Sequence, residues 1–475
     1  QRGDFDAAMQ AAKSYAQRNP DKAMPANLVA WVHARSGDLE AARAAYTRVL
    51  EIDPADPGAN HSLAQFALAE NDTEAAIARY ERILEAQPDN LPAQLQLAKI
   101  DAMRGEADAV TARLDAAIEA HPQALEPRLM LARHYLSQGR PDKVSTALLG
   151  LDESRRRHPS VLQVIALAQI AEKEHSQALF TLEQLSDADP ASADARYLTA
   201  MAAAGGGDTA MAERELDKAL ELKPDFHAAR LARAKLLLRL GRNEAFSKDL
   251  ELLIRDVPEN ADVLLLQAAA AARSGEKDNA LEFARRAYEI LPRTSTLLAL
   301  GNYQERLGEP QAAADTYRKW LQDHPDDVLV LMQHANSRMS AGQDPVDEYR
   351  HVITLEPDNI VALNNLAWLL RQRAPEESLG YARRASRLEP GNAAVLDTLA
   401  VVEYLNGNLE SASRSVRRAL EAAPQQPSLL YHSAMIDAAR GATGEALQTL
   451  SELLDGAVEF PELEEAQALY AKLRQ

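Results

Sequence analysis

Thirteen prolines punctuate this chain at a near-constant stride. They are Pro20, Pro54, Pro88, Pro122, Pro159, Pro190, Pro224, Pro258, Pro292, Pro325, Pro357, Pro390 and Pro424, and the intervals run 34, 34, 34, 37, 31, 34, 34, 34, 33, 32, 33 and 34. The text between them also returns. GDLEAARAAYTRVLEIDP (Gly37 to Pro54) comes back as GDTAMAERELDKALELKP (Gly207 to Pro224) and GNLESASRSVRRALEAAP (Gly407 to Pro424). Glycine leads each run because it closes a helix in the left-handed conformation, and proline ends it because it cannot continue one. Each period therefore holds two helices, and a short identical stride means each pair packs on its neighbours in a linear array. The 37 and 31 intervals together restore the register, so they read as a local insertion near DESRRRHPS (Asp152 to Ser160).

Small residues recur where neighbouring helices must cross. The first helix of the period carries a large–small pair at Leu63-Ala64, Leu97-Ala98, Leu131-Ala132, Leu167-Ala168, Leu366-Ala367 and Leu399-Ala400, with Leu300-Gly301 as a variant. The second carries Ala8, Ala42, Ala76, Ala178, Ala212, Ala280, Ala313 and Ala412. Small side chains let ridges settle into grooves at close range. A 34-residue helix pair with these marks resembles the tetratricopeptide (TPR) repeat over almost the whole chain. The resemblance implies an all-α fold, a right-handed superhelical solenoid of antiparallel helix pairs. Residues 1–20 read as the second helix of an incomplete repeat, residues 21–455 as thirteen tandem pairs, and residues 456–475 as a charged capping helix. Because Gln1 falls at a turn, further repeats and any targeting segment are expected upstream of it. Three repeats depart from the pattern, at EKEHSQ (Glu172 to Gln177), AGQDPVDEYR (Ala341 to Arg350) and RQRAPEESLG (Arg371 to Gly380).

Composition narrows the chemistry. The chain holds 52 Lys and Arg against 71 Asp and Glu, a net charge of −19, which disfavours a nucleic-acid partner. No cysteine is present, so thiol catalysis, thiolate metal sites and disulfides are excluded within these residues. The longest apolar run, VLLLQAAAAA (Val263 to Ala272), is too short to span a bilayer. There is no HExxH, phosphate-binding loop or nucleophile elbow. Gly205-Gly206-Gly207 joins two helices with no strand before it. His121, His158 and His324 each precede one of the prolines, and Arg155 to His158 read as cations at a helix end. No catalytic constellation, metal or cofactor is expected.

Binding remains. In TPR arrays the first helices line the concave face, and two known arrangements can be tested there. A carboxylate clamp is absent, since Met332, Ala394 and Thr398 stand where cations are required, although Asn336 and Asn365 are in place. An asparagine ladder is absent too, because Ser62, Gln96, Met130, Ala232 and Thr398 occupy its positions and only Asn365 fits. What the first helices do offer is a cationic strip, Lys235, Arg239, Arg273, Arg306 and Arg371, with Asn302, Asn336 and Asn364 among them. Trp368, Tyr404 and Tyr431 follow, with Met332, Met339 and Met435. Such a strip would receive an acidic peptide or an anionic polymer. The alternative reading is helix-end cations facing the dipole and aromatics serving as core.

Residues from about 360 onward, ALNNLAWLLRQRAPEESLGYARRASRLEPGNAAVLDTLAVVEYLNGNLESA (Ala362 to Ala412), LLYHSAMIDAARGATGEALQTLSELL (Leu429 to Leu454) and FPELEEAQALYAKLR, resemble a narrower group. These are bacterial periplasmic TPR lipoproteins of exosortase (PEP-CTERM) and exopolysaccharide export systems. That resemblance implies a non-catalytic scaffold, either periplasmic or attached to the outer membrane through a missing N-terminal segment, with proteins, extended peptides or an anionic polysaccharide as partners. The lipid-bearing cysteine of that group is not in this chain. A cytoplasmic adaptor or co-chaperone, and the TPR arm of a larger enzyme, stand as alternatives.

Overall fold

The computed structural model describes residues 2–456 and 459–475. Gln1, in the expected incomplete repeat, and Ala457 and Val458, in the expected cap, lie outside the described residues. Helices joined by short turns account for the described chain, and no strand occurs among the described residues. They fall into two compact units, Gln1–Asp249 and Leu250–Gln475. In the first, the helix Arg2–Arg18 precedes pairs such as Ala23–Ser36 with Leu39–Ile52, and Pro57–Ala69 with Thr73–Ala86. In the second, Ala261–Arg273 pairs with Lys277–Ile290, and the series runs to Pro427–Ala439 with Thr443–Asp455 and a last helix, Leu463–Leu473.

Local chemistry sets each boundary. An Asp or Asn side chain caps the N-terminus of many helices by accepting a backbone N–H, as Asp38 does from Ala41 at 3.1 Å and Asn359 from Ala362 at 3.0 Å. The first helix commonly ends on a left-handed residue, Gly37 at φ 86° being one example. Asn71 (φ 61°) and Lys173 (φ 63°) take that conformation without glycine, which explains how the EKEHSQ repeat turns. Most second helices bury a stripe at i, i+4 and i+7: Ala42, Tyr46 and Val49, then Ala76, Tyr80 and Ile83, then Ala212, Leu216 and Ala219. Ala64, Ala98, Ala132, Ala367 and Ala400 are fully buried where helices cross. At Gly301 even a methyl group is too large, because a Cβ would overlap the Tyr317 ring.

Four sequence expectations need correction. Pro159 does not follow a second helix; it is the first residue of the first helix Pro159–Ala171, the place Pro57 and Pro427 hold in theirs. The position equivalent to the other prolines is Arg156, which stands 34 residues after Pro122 and 34 before Pro190, so there is no insertion. The small residue of that repeat is accordingly Ala166, fully buried, rather than Ala168. Ala8 is exposed, and Ala12 is the buried alanine of the N-terminal helix, which has no described partner helix before it. Finally, the second helix between Pro141 and Arg156 is broken. It consists of a 3₁₀ turn Pro141–Lys143, a single turn Val144–Ala147, and a separate turn Glu153–Arg156. Arg155 and Arg157 there pair with Asp152 and Glu153, so the cluster is not the end of a long helix. His158 caps the following helix, its Nδ1 accepting from Ser160 N at 3.2 Å.

One position, a helical turn before the buried small residue, ties the first helix to the turn behind it. In the first unit it is polar in most repeats, Ala26 and the buried Leu162 being the exceptions. Asn60 donates to the Pro54 carbonyl at 3.0 Å, Gln94 to Pro88 at 2.8 Å, Arg128 to Pro122 at 3.0 Å, and Arg230 to Pro224. In the second unit the same position holds Leu264, Leu297, Leu331, Leu363 and Leu396, all buried.

Candidate functional site

The residues expected to line a binding strip divide between the two units. Lys235 and Arg239 lie on the exposed side of the first helix His227–Arg239, in the first unit. They border a groove of about 420 Å³ whose floor comes from Tyr197, Ala200, Met201 and Ala204 of the helix Ala193–Gly205, and from Leu231 and Ala232 beside them. Its lining contains two cations and no carboxylate. Ala232, which takes the place of a ladder asparagine, keeps the floor apolar. Tyr197 packs on Phe226 with ring centroids 5.3 Å apart, and burial raises its phenol pKa. Tyr197 and Met201 were not legible as site residues, because a half-buried aromatic and a methionine in a helix read equally well as core.

The same helix presents a second, buried polar arrangement that is structural. Arg233 spans Asp217 (2.7 Å) and Asp249 (2.7 and 2.8 Å), and Arg230 adds a contact to Asp249 at 3.4 Å. Those carboxylates hold the Arg233 guanidinium well above its ordinary pKa, chiefly through the hydrogen bonds it donates to Asp249.

In the second unit the expected residues do different things. Asn336 is committed: its Oδ1 accepts from the Tyr349 hydroxyl at 2.9 Å, and that oxygen accepts in turn from Asn365 at 2.9 Å, so one buried phenol joins three helices. Arg273 and Arg306 are exposed and are the last residues of their helices, where a cation faces the negative end of the dipole. Asn302 is also exposed. Tyr404 is half-buried against Ala400, Ala412, Val416 and Ile436, and so belongs to the core edge.

Trp368, Arg371 and Tyr431 gather with two residues the sequence did not single out, Asp397 and His432, whereas Asn364 keeps a buried Oδ1 without a hydrogen-bond partner among the described residues. Arg371 stacks 3.9 Å above the Trp368 ring and donates to the Trp368 carbonyl at 2.6 Å. Burial lowers the Arg371 pKa. His432 Nδ1 lies 2.7 Å from Asp397 Oδ1, and its ring stands 6.3 Å from Trp368 and 5.5 Å from Tyr431. Trp368 and His432 come from the helices Ile360–Leu370 and Pro427–Ala439, two repeats apart, so this cluster braces three successive first helices. The Arg371 cation is already engaged, which sets it apart from Arg239.

Gly205 and Gly207 have structural duties. A Cβ on Gly205 would overlap the His175 ring, and Gly207 turns the chain at φ 88°. Among the described residues no group of three or more His, Cys, Asp or Glu could hold a metal ion, and no helix is long and apolar enough to cross a membrane.

Comparison with known proteins agrees with this architecture. Residues 6–241 match the family model described as the tetratricopeptide repeat protein 21 second ARM domain; residues 231–293 and 294–337 match two tetratricopeptide repeat models. A TPR repeat-containing protein of Pseudomonas aeruginosa is 26% identical over 219 residues, 44% of this chain and 31% of that relative. The chain thus spans about a third of that relative's length. A chain in the crystal structure of the APC/C hetero-tetramer Cut9–Hcn1 superposes with a TM-score of 0.50 at 14% identity, over 100% of this chain and 94% of its own, a likeness of fold. With a constant stride, paired helices and these matches, the chain belongs to the tetratricopeptide-repeat superfamily.

Proposed function

We propose that the chain is a non-catalytic protein-interaction scaffold whose first-unit groove holds an acidic, partly apolar segment of a partner. The observation that carries this reading is the lining of that groove: an alanine-rich apolar floor bordered by Lys235 and Arg239, without a carboxylate, in a chain of net charge −19. A cationic rim over an apolar floor selects partners by charge and holds them by burial. Fluorescence anisotropy with acidic peptides carrying one aliphatic or aromatic residue tests it. Arg239→Glu should abolish binding that the unaltered chain shows, with unchanged melting, since Arg239 is exposed. Equal affinity in both would overturn the groove.

The setting we propose is the bacterial cell envelope, in support of exopolysaccharide or surface-protein export. What supports it is the resemblance of residues 360–475 to periplasmic TPR lipoproteins of such systems. Fractionation of the native host checks this: recovery with the periplasm or outer membrane agrees with it, and recovery with the cytosol favours an adaptor instead.

A further inference from the structure

The second helix between Pro141 and Arg156 is interrupted where its neighbours are continuous. Neighbouring second helices in the first unit run 14 residues, such as Ala107–Ala120 and His175–Ala188. Between Pro141 and Arg156 the longest continuous α-helix is four residues. A cavity of about 490 Å³ opens along the helix Pro159–Ala171 beside this break. Val161, Ile165 and Ala168 form the floor, and Val144, Leu148 and Leu149 form one wall. Leu149 is 62% exposed.

The break is built into the fold. Arg128, only 6% exposed, donates to the carbonyls of Pro122, Ala147 and Leu149. The last two are free to accept only because the helix stops there. Gly150 follows in the left-handed conformation (φ 85°), and Asp152 caps the next turn through Arg155 N at 2.9 Å. Burial of a guanidinium without a carboxylate lowers its pKa and is stable only while those carbonyls remain in place.

The ends of the cavity carry opposite charge. Arg156 lies just before the floor helix, and Glu172 and Glu174 just after it, all three exposed and without an ion pair among the described residues. The floor helix is 13 residues long, roughly 20 Å. We propose that this cavity docks an amphipathic helix of a partner protein that completes the interrupted repeat. Its apolar stripe covers the exposed Leu149 and the half-buried Ile165, a basic residue at one end meets Glu172 and Glu174, and an acidic residue at the other meets Arg156. Helix-in-groove recognition of this kind reads apolar anchors at i, i+4 and i+7.

The test is selection of a displayed library of amphipathic helices against the full chain, with apolar residues fixed at i, i+4 and i+7 and all other positions random. Enriched helices should carry basic residues at one end and acidic at the other. A fluorescent copy of the best one should lose at least about tenfold in affinity on Leu149→Asp, and again on joint Glu172→Lys and Glu174→Lys. Exchanging the helix's basic end for acidic residues should recover binding to the charge-reversed variant. All three positions are exposed, so melting should not move. Arg239→Glu should leave this affinity unchanged, which separates the cavity from the groove. No enrichment, enrichment without the charge pattern, or affinity indifferent to Leu149 and to the glutamates would each overturn the proposal.

Discussion

The two units lock most of their repeats differently at one homologous position, although Leu162 in the first unit is already apolar there. In the first unit, Asn60, Gln94, Arg128 and Arg230 reach back to the carbonyl of the proline behind them. In the second, buried leucines such as Leu264, Leu331 and Leu363 fill the same space. A hydrogen-bonded side chain and an apolar one therefore solve the same packing problem, with different liabilities. The polar solution leaves unsatisfied groups when it is cut, whereas the apolar one leaves a cavity. The polar seam also recruits carboxylates: Asp249 sits 2% exposed between Arg230 and Arg233, and Glu215 lies 3.3 Å from Arg196.

That contrast breaks most visibly at Asp249. Removing one partner from a buried charged network strands the others, so Asp249→Ala should cost about 3–5 kcal/mol, read as a lowered denaturation midpoint with loss of amide protection around residues 227–239. The apolar counterpart is Leu363, fully buried with Ala385 and Val395. Leu363→Ala should cost about 2–5 kcal/mol by transfer and cavity terms, with protection lost in the second unit instead. Gln94→Leu asks whether the two solutions are interchangeable. It removes the bond to the Pro88 carbonyl, but also removes a buried Oε1 that has no partner among the described residues. Chemical denaturation should place it within ~1 kcal/mol of the unaltered chain. A cost as large as that of Leu363→Ala would mean that the polar seam is specific rather than a substitute.

Much of this architecture was legible because helix pairs repeat: the turn residues, the stripe on most second helices and the alanines at the crossings all follow from one period. Pro159 misled because a proline after a second helix and one opening the next first helix lie only three residues apart, as Pro54 and Pro57 do. The broken helix was illegible for a related reason. Pro141 is as acceptable at the start of a helix as Pro310 or Pro375, which open intact ones. Gly150, late in the expected span of the second helix, was a partial signal; Arg128 was none, since Arg230 holds the same position ahead of the intact helix Asn243–Asp256. Of the expected binding strip, sequence placed residues on the right helices but not their commitments. Whether Asn336 and Arg371 are free depends on Tyr349 and Trp368, and no spacing rule reports that.

Acid sharpens the comparison last and least. The buried carboxylates of the first unit face arginines, whereas Glu403 in the second, 6% exposed, meets a serine hydroxyl, Ser415 donating at 2.8 Å. Burial raises the Glu403 pKa above its ordinary 4.5, with the Ser415 bond and the charges of Arg383 and Arg414 only partly opposing it. A carboxyl that binds its proton more tightly when folded weakens the fold wherever it is ionised. That cost is complete above the raised pKa and disappears as pH falls through it toward 4.5. Glu403→Gln keeps an acceptor for Ser415 and removes the charge. Its melting temperature should exceed that of the unaltered chain at pH 7, and the gap should close toward pH 4.5. A gain that persists unchanged in acid would trace to packing instead, and a loss at pH 7 would show that Arg383 and Arg414 outweigh burial, making this carboxylate one more paired charge like those of the first unit.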